Sequence, residues 1–210
     1  MLQFAARNIS SFLKMYRGSM DALYPWVYRW SLDIAAGVPQ DVDLFLNFAT
    51  ATPGGATLND TNIPVQGFAT GEERYLLLGL QCKVLYPKVD HSFGVAADSA
   101  LFANNEAWIR NSGNLLLRSS QDVLFADHGL DTIPPGTELH GALSTGGGMG
   151  AGDGRADNIL PCYYPIEKNG NIKGTLRFPR AAAGYDAITT TLLMRVRILI
   201  YGIRFLTNVK

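Results

Sequence analysis

The chain has 210 residues, which is enough for one domain of ordinary to large size and an appended segment. Its formal net charge is +0, so the chain as a whole lacks the basic excess that accompanies nucleic-acid binding. Charged residues make up only 17% of the chain, below the roughly 25% of typical soluble domains. This shortage favours a protein that buries surface in an oligomer, and a large uncharged polar surface is the alternative explanation.

The first 24 residues show a helical pattern. Apolar side chains recur at spacings of three and four from Leu2 to Leu23, and most polar side chains fall between them. Pro25 disfavours continuation of the helix through the residue before it. A cluster of aromatic residues follows at once: Trp26, Tyr28 and Trp30. We therefore assign residues 1–36 to an N-terminal amphipathic helical arm.

This arm has three interpretations. It packs on its own domain, docks on a neighbouring subunit, or lies in a membrane interface with its cations near the headgroups. The residues that we expect to mediate assembly are Phe12, Tyr16, Trp26 and Trp30. The cations that we expect to contact an anionic surface are Arg7, Lys14 and Arg17. The N-terminus lacks the apolar stretch and cleavage site of a secretory signal.

The remaining chain alternates between short strand patterns and turn signals. Apolar residues at every second position, bounded by Gly, Pro and Asn, are typical of half-buried strands. The predicted strands cover residues 41–50, 63–68, 74–86, 114–118, 123–125, 137–143, 172–178 and 191–206. Residues 98–112 are predicted to form a short helix or a wide loop, and residues 160–164 are also strand-like.

The last predicted strand has two unlike faces. Met194, Val196 and Ile198 share one face, because side chains alternate along a strand. Arg195 and Arg197 share the other, and we add them to the residues expected to contact an anionic surface. A long apolar strand of this kind closes the sheet of an antiparallel sandwich.

Together these elements predict an all-β fold. About eight strands in one domain, residues 37–210, fit an antiparallel jelly-roll sandwich better than an immunoglobulin-like domain. Charge is distributed unevenly over it. Residues 177–210 hold six cations and one acid, whereas residues 90–160 hold nine acids and three cations. Residues 1–20 are also basic, with three cations and no acid. If the basic N-terminal and C-terminal segments share a face, the molecule has one basic side and one acidic side. The alternative is that these charges are scattered over solvated surfaces.

Candidate catalytic and metal motifs fail on inspection. The glycine-rich stretch Gly146–Gly154 lacks the Lys-Ser/Thr of a phosphate loop and does not open a helix, so we interpret it as a flexible loop, with a calcium turn as the weaker alternative. Cys82 and Cys162 lie in apolar strand-like segments and belong to no zinc motif, which predicts buried free thiols. The sequence predicts no catalytic residues, no metal and no cofactor.

The overall layout resembles a known family. The turn Asn59–Ile63, the run Gly71–Gly79 and the ladder Leu193–Gly202 are similar in arrangement to jelly-roll capsid proteins of tailless icosahedral bacterial viruses. Some of these viruses enclose a lipid membrane. The resemblance extends from about residue 40 to the end, and it is one of layout, without a diagnostic motif. Many such viruses use a double jelly roll, whereas this chain has room for one.

The resemblance implies a viral structural protein of the virion, assembled in the host cytoplasm. Such a bacteriophage shell subunit would associate with copies of itself and with other virion proteins through apolar, low-charge faces and the arm, and its basic ends would face an internal membrane or the genome. A minor or vertex role is equally compatible. The rival hypothesis is a carbohydrate-recognition sandwich that uses Trp108 and the loop Gly146–Gly154 to hold a sugar.

Overall fold

The computed structural model describes residues 23–35, 37–45, 73–85, 96–119, 121–134, 159–166, 170–179 and 193–206. Eight strands lie in these ranges: β1 (Leu23–Ala35), β2 (Gln40–Leu44), β3 (Glu73–Leu85), β4 (Asn114–Ser119), β5 (Leu124–Gly129), β6 (Leu160–Ile166), β7 (Ile172–Phe178) and β8 (Leu193–Leu206). A helix, α1 (Ala96–Ser112), joins β3 to β4.

The strands form two four-stranded antiparallel sheets. The first sheet has the order β1-β8-β3-β6, and the second has the order β2-β7-β4-β5. The pairing is nested, because β1 pairs with β8, β2 with β7, β3 with β6 and β4 with β5. A chain folded as a long double ribbon and wrapped into two sheets in this way is a jelly roll. The predicted fold class, an all-β antiparallel sandwich of about eight strands, is confirmed.

The inner faces of the two sheets form the core. Met194, Val196 and Ile198 of β8 are all 0% exposed, which confirms the predicted apolar face of this strand. On the second sheet Leu176 and Phe178 of β7 are equally buried. Alternate residues of every long strand therefore point inward, as expected for sheets packed face to face.

The structure corrects the helical arm. Residues 23–35 were assigned to it, and they form β1, which pairs with β8 along its whole length. The aromatic cluster explains this outcome, because its side chains recur at every second position, which is the period of a strand. Tyr28 and Trp30 point into the core and are 4% and 3% exposed. Residues 1–22 lie outside the described part of the chain.

Strand β2 ends earlier than predicted. The sequence pattern predicts a strand over residues 41–50, but β2 ends at Leu44. Phe45 has a positive φ of 61°, which lies outside the β region, so the strand cannot continue through it. The Phe45 ring turns inward beside Gly174, where an added Cβ would lie 2.6 Å from ring atom Cε2. A glycine is therefore required at position 174 to leave room for this ring. Residues 46–50 lie outside the described ranges.

The other predicted elements mostly hold. The predicted strands 74–86, 114–118, 123–125, 172–178 and 191–206 correspond to β3, β4, β5, β7 and β8, and the strand-like residues 160–164 belong to β6. The segments 63–68 and 137–143 and the loop Gly146–Gly154 lie outside the described residues. The segment predicted as a short helix or a wide loop is the helix α1.

Helix α1 ends at Ser112, directly before Gly113, and packs on the second sheet. The backbone N–H of Gly113 donates to the carbonyl of Ile109 at 2.9 Å. A Cβ at this position would lie within 2.7 Å of Leu130, Phe178 and Ile109 atoms, so the chain passes too closely for any larger residue. The ring of Trp108 stacks on that of Phe178, with centroids 5.2 Å apart. This contact joins the helix to the second sheet.

Candidate interaction surfaces

The outer face of the first sheet has a polar half and an apolar half. In the polar half, Asp33 accepts two hydrogen bonds from Arg195, from Nε at 2.7 Å and from Nη2 at 3.0 Å. In the next row, Arg197 Nε donates to Ser31 Oγ at 2.9 Å. These bonds lie between β1 and β8, so they fix the register of the strand that begins the described chain.

The structure therefore brings two of the predicted anion-contacting residues together. Arg195 and Arg197 lie side by side on one face, as predicted, but both bind side chains of β1. Lys83 of β3 occupies the same row as Arg197, opposite it in the register, and is 7% exposed. The buried neighbours Ser31 and Lys83 show that this half of the face is largely covered within the chain. Contact of these arginines with an anionic partner stays a prediction.

The predicted assembly residues divide into two groups. Phe12 and Tyr16, like the cations Arg7, Lys14 and Arg17, lie outside the described residues. Trp26 is half-buried, and the centroid of its ring lies 5.1 Å from that of Tyr75. Trp30 lies inside the core, with its ring centroid 5.9 Å from that of Phe45.

Their position in β1 changes what these two tryptophans can do. The ring of Trp30 is covered by its own domain, so its described contacts are intramolecular. The physical reason is that strand alternation in β1 directs Trp26, Tyr28 and Trp30 to the same inner face.

The apolar half of the first sheet crosses all four strands. Residues opposite each other in neighbouring strands project from the same face, so the register defines two rows of side chains. The first row is Pro25, Ile203, Leu76 and Pro165, and the second is Val27, Tyr201, Gly79 and Pro161. Tyr163 lies between them on β6. We call these residues the apolar patch.

The apolar patch is exposed on the two edge strands and buried on β3 between them, where Leu76 is 3% exposed and Gly79 is buried. Val27 is 38% exposed and Tyr163 is 41% exposed, and the three prolines are exposed as well. Tyr24 precedes Pro25 and therefore projects from the opposite face of β1; it is 43% exposed, and its ring lies 5.8 Å from the guanidinium carbon of Arg204. The exposed apolar residues therefore form two groups at opposite edges of the sheet, Pro25 and Val27 on β1 and Pro161, Tyr163 and Pro165 on β6.

The outer face of the second sheet is different. Its side chains form ion pairs and hydrogen bonds between strands, with Lys173 Nζ 2.9 Å from Asp122 and Arg177 Nε 3.3 Å from Asp41. The side chains of these pairs are 47–64% exposed. The Lys173 ammonium group also lowers the pKa of the Asp122 carboxyl by hydrogen bonding and by its charge. Exposed pairs of this kind contribute little to stability and keep the face solvated.

Strand β5 forms one edge of this second sheet. It pairs with β4 alone; Val123, directly before the strand, is 53% exposed, and Leu124, its first residue, is 46% exposed. Residues 121–134 contain three exposed acids and no lysine or arginine. The acids are Asp122, Asp127 and Asp131. We call this stretch the acidic edge.

The helix buries polar atoms without partners. Asn105 is 0% exposed, and neither its Oδ1 nor its Nδ2 has a hydrogen-bond partner among the described residues. Trp108 lies one turn further on the same face and is 1% exposed, and its Nε1 also has no partner in the described part of the chain. Because Trp108 is enclosed, it cannot stack on a sugar, and the residue on which the carbohydrate-recognition hypothesis relied is a core residue.

The two cysteines are buried free thiols, as predicted. Burial raises the pKa of Cys82 to about 12, opposed by the Arg110 charge, and raises the pKa of Cys162 to about 11. The backbone N–H of Cys82 donates to the carbonyl of Pro134 at 3.0 Å, which holds this part of β3 against the chain after β5.

These pKa values make a direct prediction about thiol reactivity. At pH 8 both thiols stay protonated and enclosed, so the native protein is expected to react with a thiol reagent at least about 100-fold more slowly than the unfolded chain. Measuring the mass of the alkylated protein over time, with and without denaturant, checks this. Rapid modification of the native protein would show that the β3 or β6 region opens readily.

Comparison with protein-family models and with curated proteins finds no match for this chain. The protein is therefore classified by its fold alone, as an eight-stranded jelly-roll sandwich. Within the described ranges no three His, Cys, Asp or Glu side chains come together as a metal site. No helix in the same part of the chain is long and apolar enough to cross a membrane.

Proposed function

We propose that this protein is a structural subunit of a virion shell, which self-associates through its apolar surface. The observation that carries the proposal is a jelly-roll sandwich whose first sheet exposes apolar side chains on both of its edge strands, β1 and β6. Covering Val27, Tyr163 and the three prolines in an assembly would release water from apolar surface and lower the free energy.

Self-association fits the composition as well. The charged fraction of 17% is low, and interface cores are depleted in charged side chains. Stable interfaces bury on the order of 1,200–2,000 Å² in total, which is far more than one small patch, so further contacts are needed. The arm, residues 1–22 after the correction above, supplies additional apolar and basic side chains for contacts with neighbours or with an anionic internal partner.

The oligomeric state of the full-length protein tests this function. Light scattering on a sizing column, over a range of protein and salt concentrations, should show trimers, pentamers or larger assemblies of the 22.9 kDa chain. High salt should not dissolve them, because burial of apolar surface dominates and salt screens only charges. A monomer under every condition would contradict the proposal and direct attention to ligand binding, tested next with a panel of glycans.

A further inference from the structure

The outer face of the first sheet is buried along its middle. On β3, Leu76 is 3% exposed, Gln81 is 2% exposed and Lys83 is 7% exposed. On β8, Leu199 lies opposite Gln81 and is 9% exposed. These side chains project from the outer face, because they alternate with residues of the same strands that point into the core. We call Leu76, Gln81, Lys83 and Leu199 the covered strip.

The described elements do not account for this burial. The second sheet packs on the inner face of the first sheet, and α1 packs on the second sheet. On the outer face of the second sheet, Lys173 lies on an interior strand, as Lys83 does, yet its side chain is 61% exposed. Leu116 is 8% exposed there, but its cross-strand neighbours Thr175 and Asp127 are not buried. The covered strip therefore needs a cover from another part of the chain.

The burial pattern has the width of one helix. Neighbouring strands lie about 4.8 Å apart, so a helix about 10 Å across covers two strands and leaves the outer two open. The covered strip lies on the interior strands β3 and β8, whereas Val27 on the edge strand β1 and Tyr163 on the edge strand β6 are 38% and 41% exposed. From Leu76 to Lys83 the strip is roughly 23 Å long, which a helix of about 16 residues matches.

Residues 1–22 have the sequence that such a cover needs. Their apolar stripe is centred near Ile9 on a helical projection, and with 3.6 residues per turn Arg7, Lys14 and Arg17 lie about 160° from that centre. A helix with one apolar side and one basic side packs its apolar side on a protein surface and leaves its cations in solvent.

The attachment point of this segment fits as well. It joins the sheet at Leu23, which pairs with Phe205 of β8, and Phe205 pairs with Arg74 of β3. Leu76, at one end of the covered strip, lies two residues from Arg74 along β3. A helix that turns back from Leu23 therefore starts at one end of the strip and can follow it to Lys83.

Other segments outside the described ranges fit the cover less well. Residues 46–72 also reach β3, but they contain the turn Pro53-Gly54-Gly55 and no apolar repeat at helical spacing. Residues 135–158 contain the glycine-rich loop Gly146–Gly154. Residues 86–95 are too few, because ten residues make a helix of only about 15 Å.

We propose that residues 1–22 form an amphipathic helix that packs on the first sheet of its own chain, with the apolar stripe on the covered strip. Arg7, Lys14 and Arg17 then face outward, where an anionic partner can reach them. The cover comes from the same chain, because the strip is buried in a single copy. This inference goes beyond the proposed self-association and does not depend on it.

Acetylation of lysine side chains, measured by mass spectrometry of the peptides, tests the proposal, because the covered strip contains Lys83. Lys83 is expected to react at least about tenfold more slowly in the full-length protein than after removal of residues 1–22, since the reagent reaches a covered amine only when the cover opens. Lys173, with its side chain 61% exposed, is the internal control and should react equally in both proteins. Circular dichroism verifies that both proteins are folded.

Two full-length variants separate the apolar stripe from the rest of the segment. Ile9→Glu places a carboxylate at the centre of the stripe, and Ser11→Glu places the same charge on the opposite side of the helix. Ile9→Glu is expected to raise the acetylation rate of Lys83 at least about threefold, because packing on the sheet would bury an unpaired charge. Ser11→Glu should leave the rate unchanged. If the protein without residues 1–22 does not fold, these two variants provide the test.

Three outcomes would overturn the proposal. Equal acetylation of Lys83 with and without residues 1–22 would show that another segment covers the strip. Equal rates for Ile9→Glu and Ser11→Glu would show that the stripe does not contact it. The third outcome concerns the source of the cover, for which isotopically labelled protein without residues 1–22 is mixed with unlabelled full-length protein. Lys83 of the labelled chain should stay reactive, and its protection would mean that a neighbouring copy provides the cover.

Discussion

Removing residues 1–30 is expected to unfold the sandwich, whereas removing residues 1–22 is expected to leave it folded. The first truncation deletes most of β1, including Tyr28 and Trp30, which are 4% and 3% exposed in the core. Loss of a single buried large aromatic side chain costs about 3–5 kcal/mol, and total stabilities are only about 5–15 kcal/mol. The second truncation ends before β1 begins and retains every pair between β1 and β8.

Circular dichroism and thermal unfolding of the two truncated proteins check this expectation. The protein without residues 1–22 should unfold cooperatively, and the protein without residues 1–30 should be insoluble or lack a transition. A cooperative transition after removal of residues 1–30 would show that β8 tolerates an unpaired edge, and that β1 adds little to the core.

The shorter truncation also tests the role of the arm. If residues 1–22 tie neighbouring subunits together, their removal abolishes higher assembly while the sandwich stays folded. Light scattering of the truncated protein beside the full-length chain measures this directly. Assembly at the wild-type level would show that the arm is dispensable and that the contacts lie within the sandwich.

Local sequence predicts the faces of some strands better than others, for a physical reason. The faces of β8 are predictable, because Met194, Val196 and Ile198 alternate with Arg195 and Arg197. Trp26, Tyr28 and Trp30 alternate just as regularly. They directly follow the helical pattern of residues 1–24, so the predicted helical arm includes them. Near residue 24 the spacing of apolar residues changes from the helical period of 3.6 to the strand period of 2, and this change marks the start of β1.

The candidate surfaces could not be derived from the sequence in the same way. The Arg195–Asp33 hydrogen bonds join residues 162 positions apart, and only the register of β1 on β8 brings them together. The apolar patch is similar, because Val27, Tyr201 and Pro161 come from three distant segments. Each has one or two apolar neighbours in sequence, so none of them alone indicates a surface. Strand order and register are global properties that local pattern does not encode.

Replacing Asn105 with leucine is expected to raise the free energy of unfolding by about 1–3 kcal/mol. The amide is 0% exposed, and neither of its polar atoms has a partner among the described residues, so folding removes their hydrogen bonds to water without a replacement there. Leucine has a similar volume and no polar atoms to desolvate. For a domain of this size the change corresponds to a rise in Tm of roughly 2–4 °C per kcal/mol.

The neighbouring residue Asn104 gives a matched control for this prediction. It lies on the same helix, is partly exposed, and gains the same helix propensity on replacement by leucine, roughly 0.5 kcal/mol. The difference between Asn105→Leu and Asn104→Leu therefore isolates the buried amide. Denaturant unfolding followed by tryptophan fluorescence measures both. Destabilisation by Asn105→Leu relative to the control would mean that the amide is satisfied in the native protein, by an internal water molecule or a bound polar group that also reaches Trp108 Nε1. A bound polar group would make the space under α1 a binding site, whereas a water molecule would have a structural role only. Stabilisation would identify Asn105 as a buried polar residue that weakens the packing of α1 on the core.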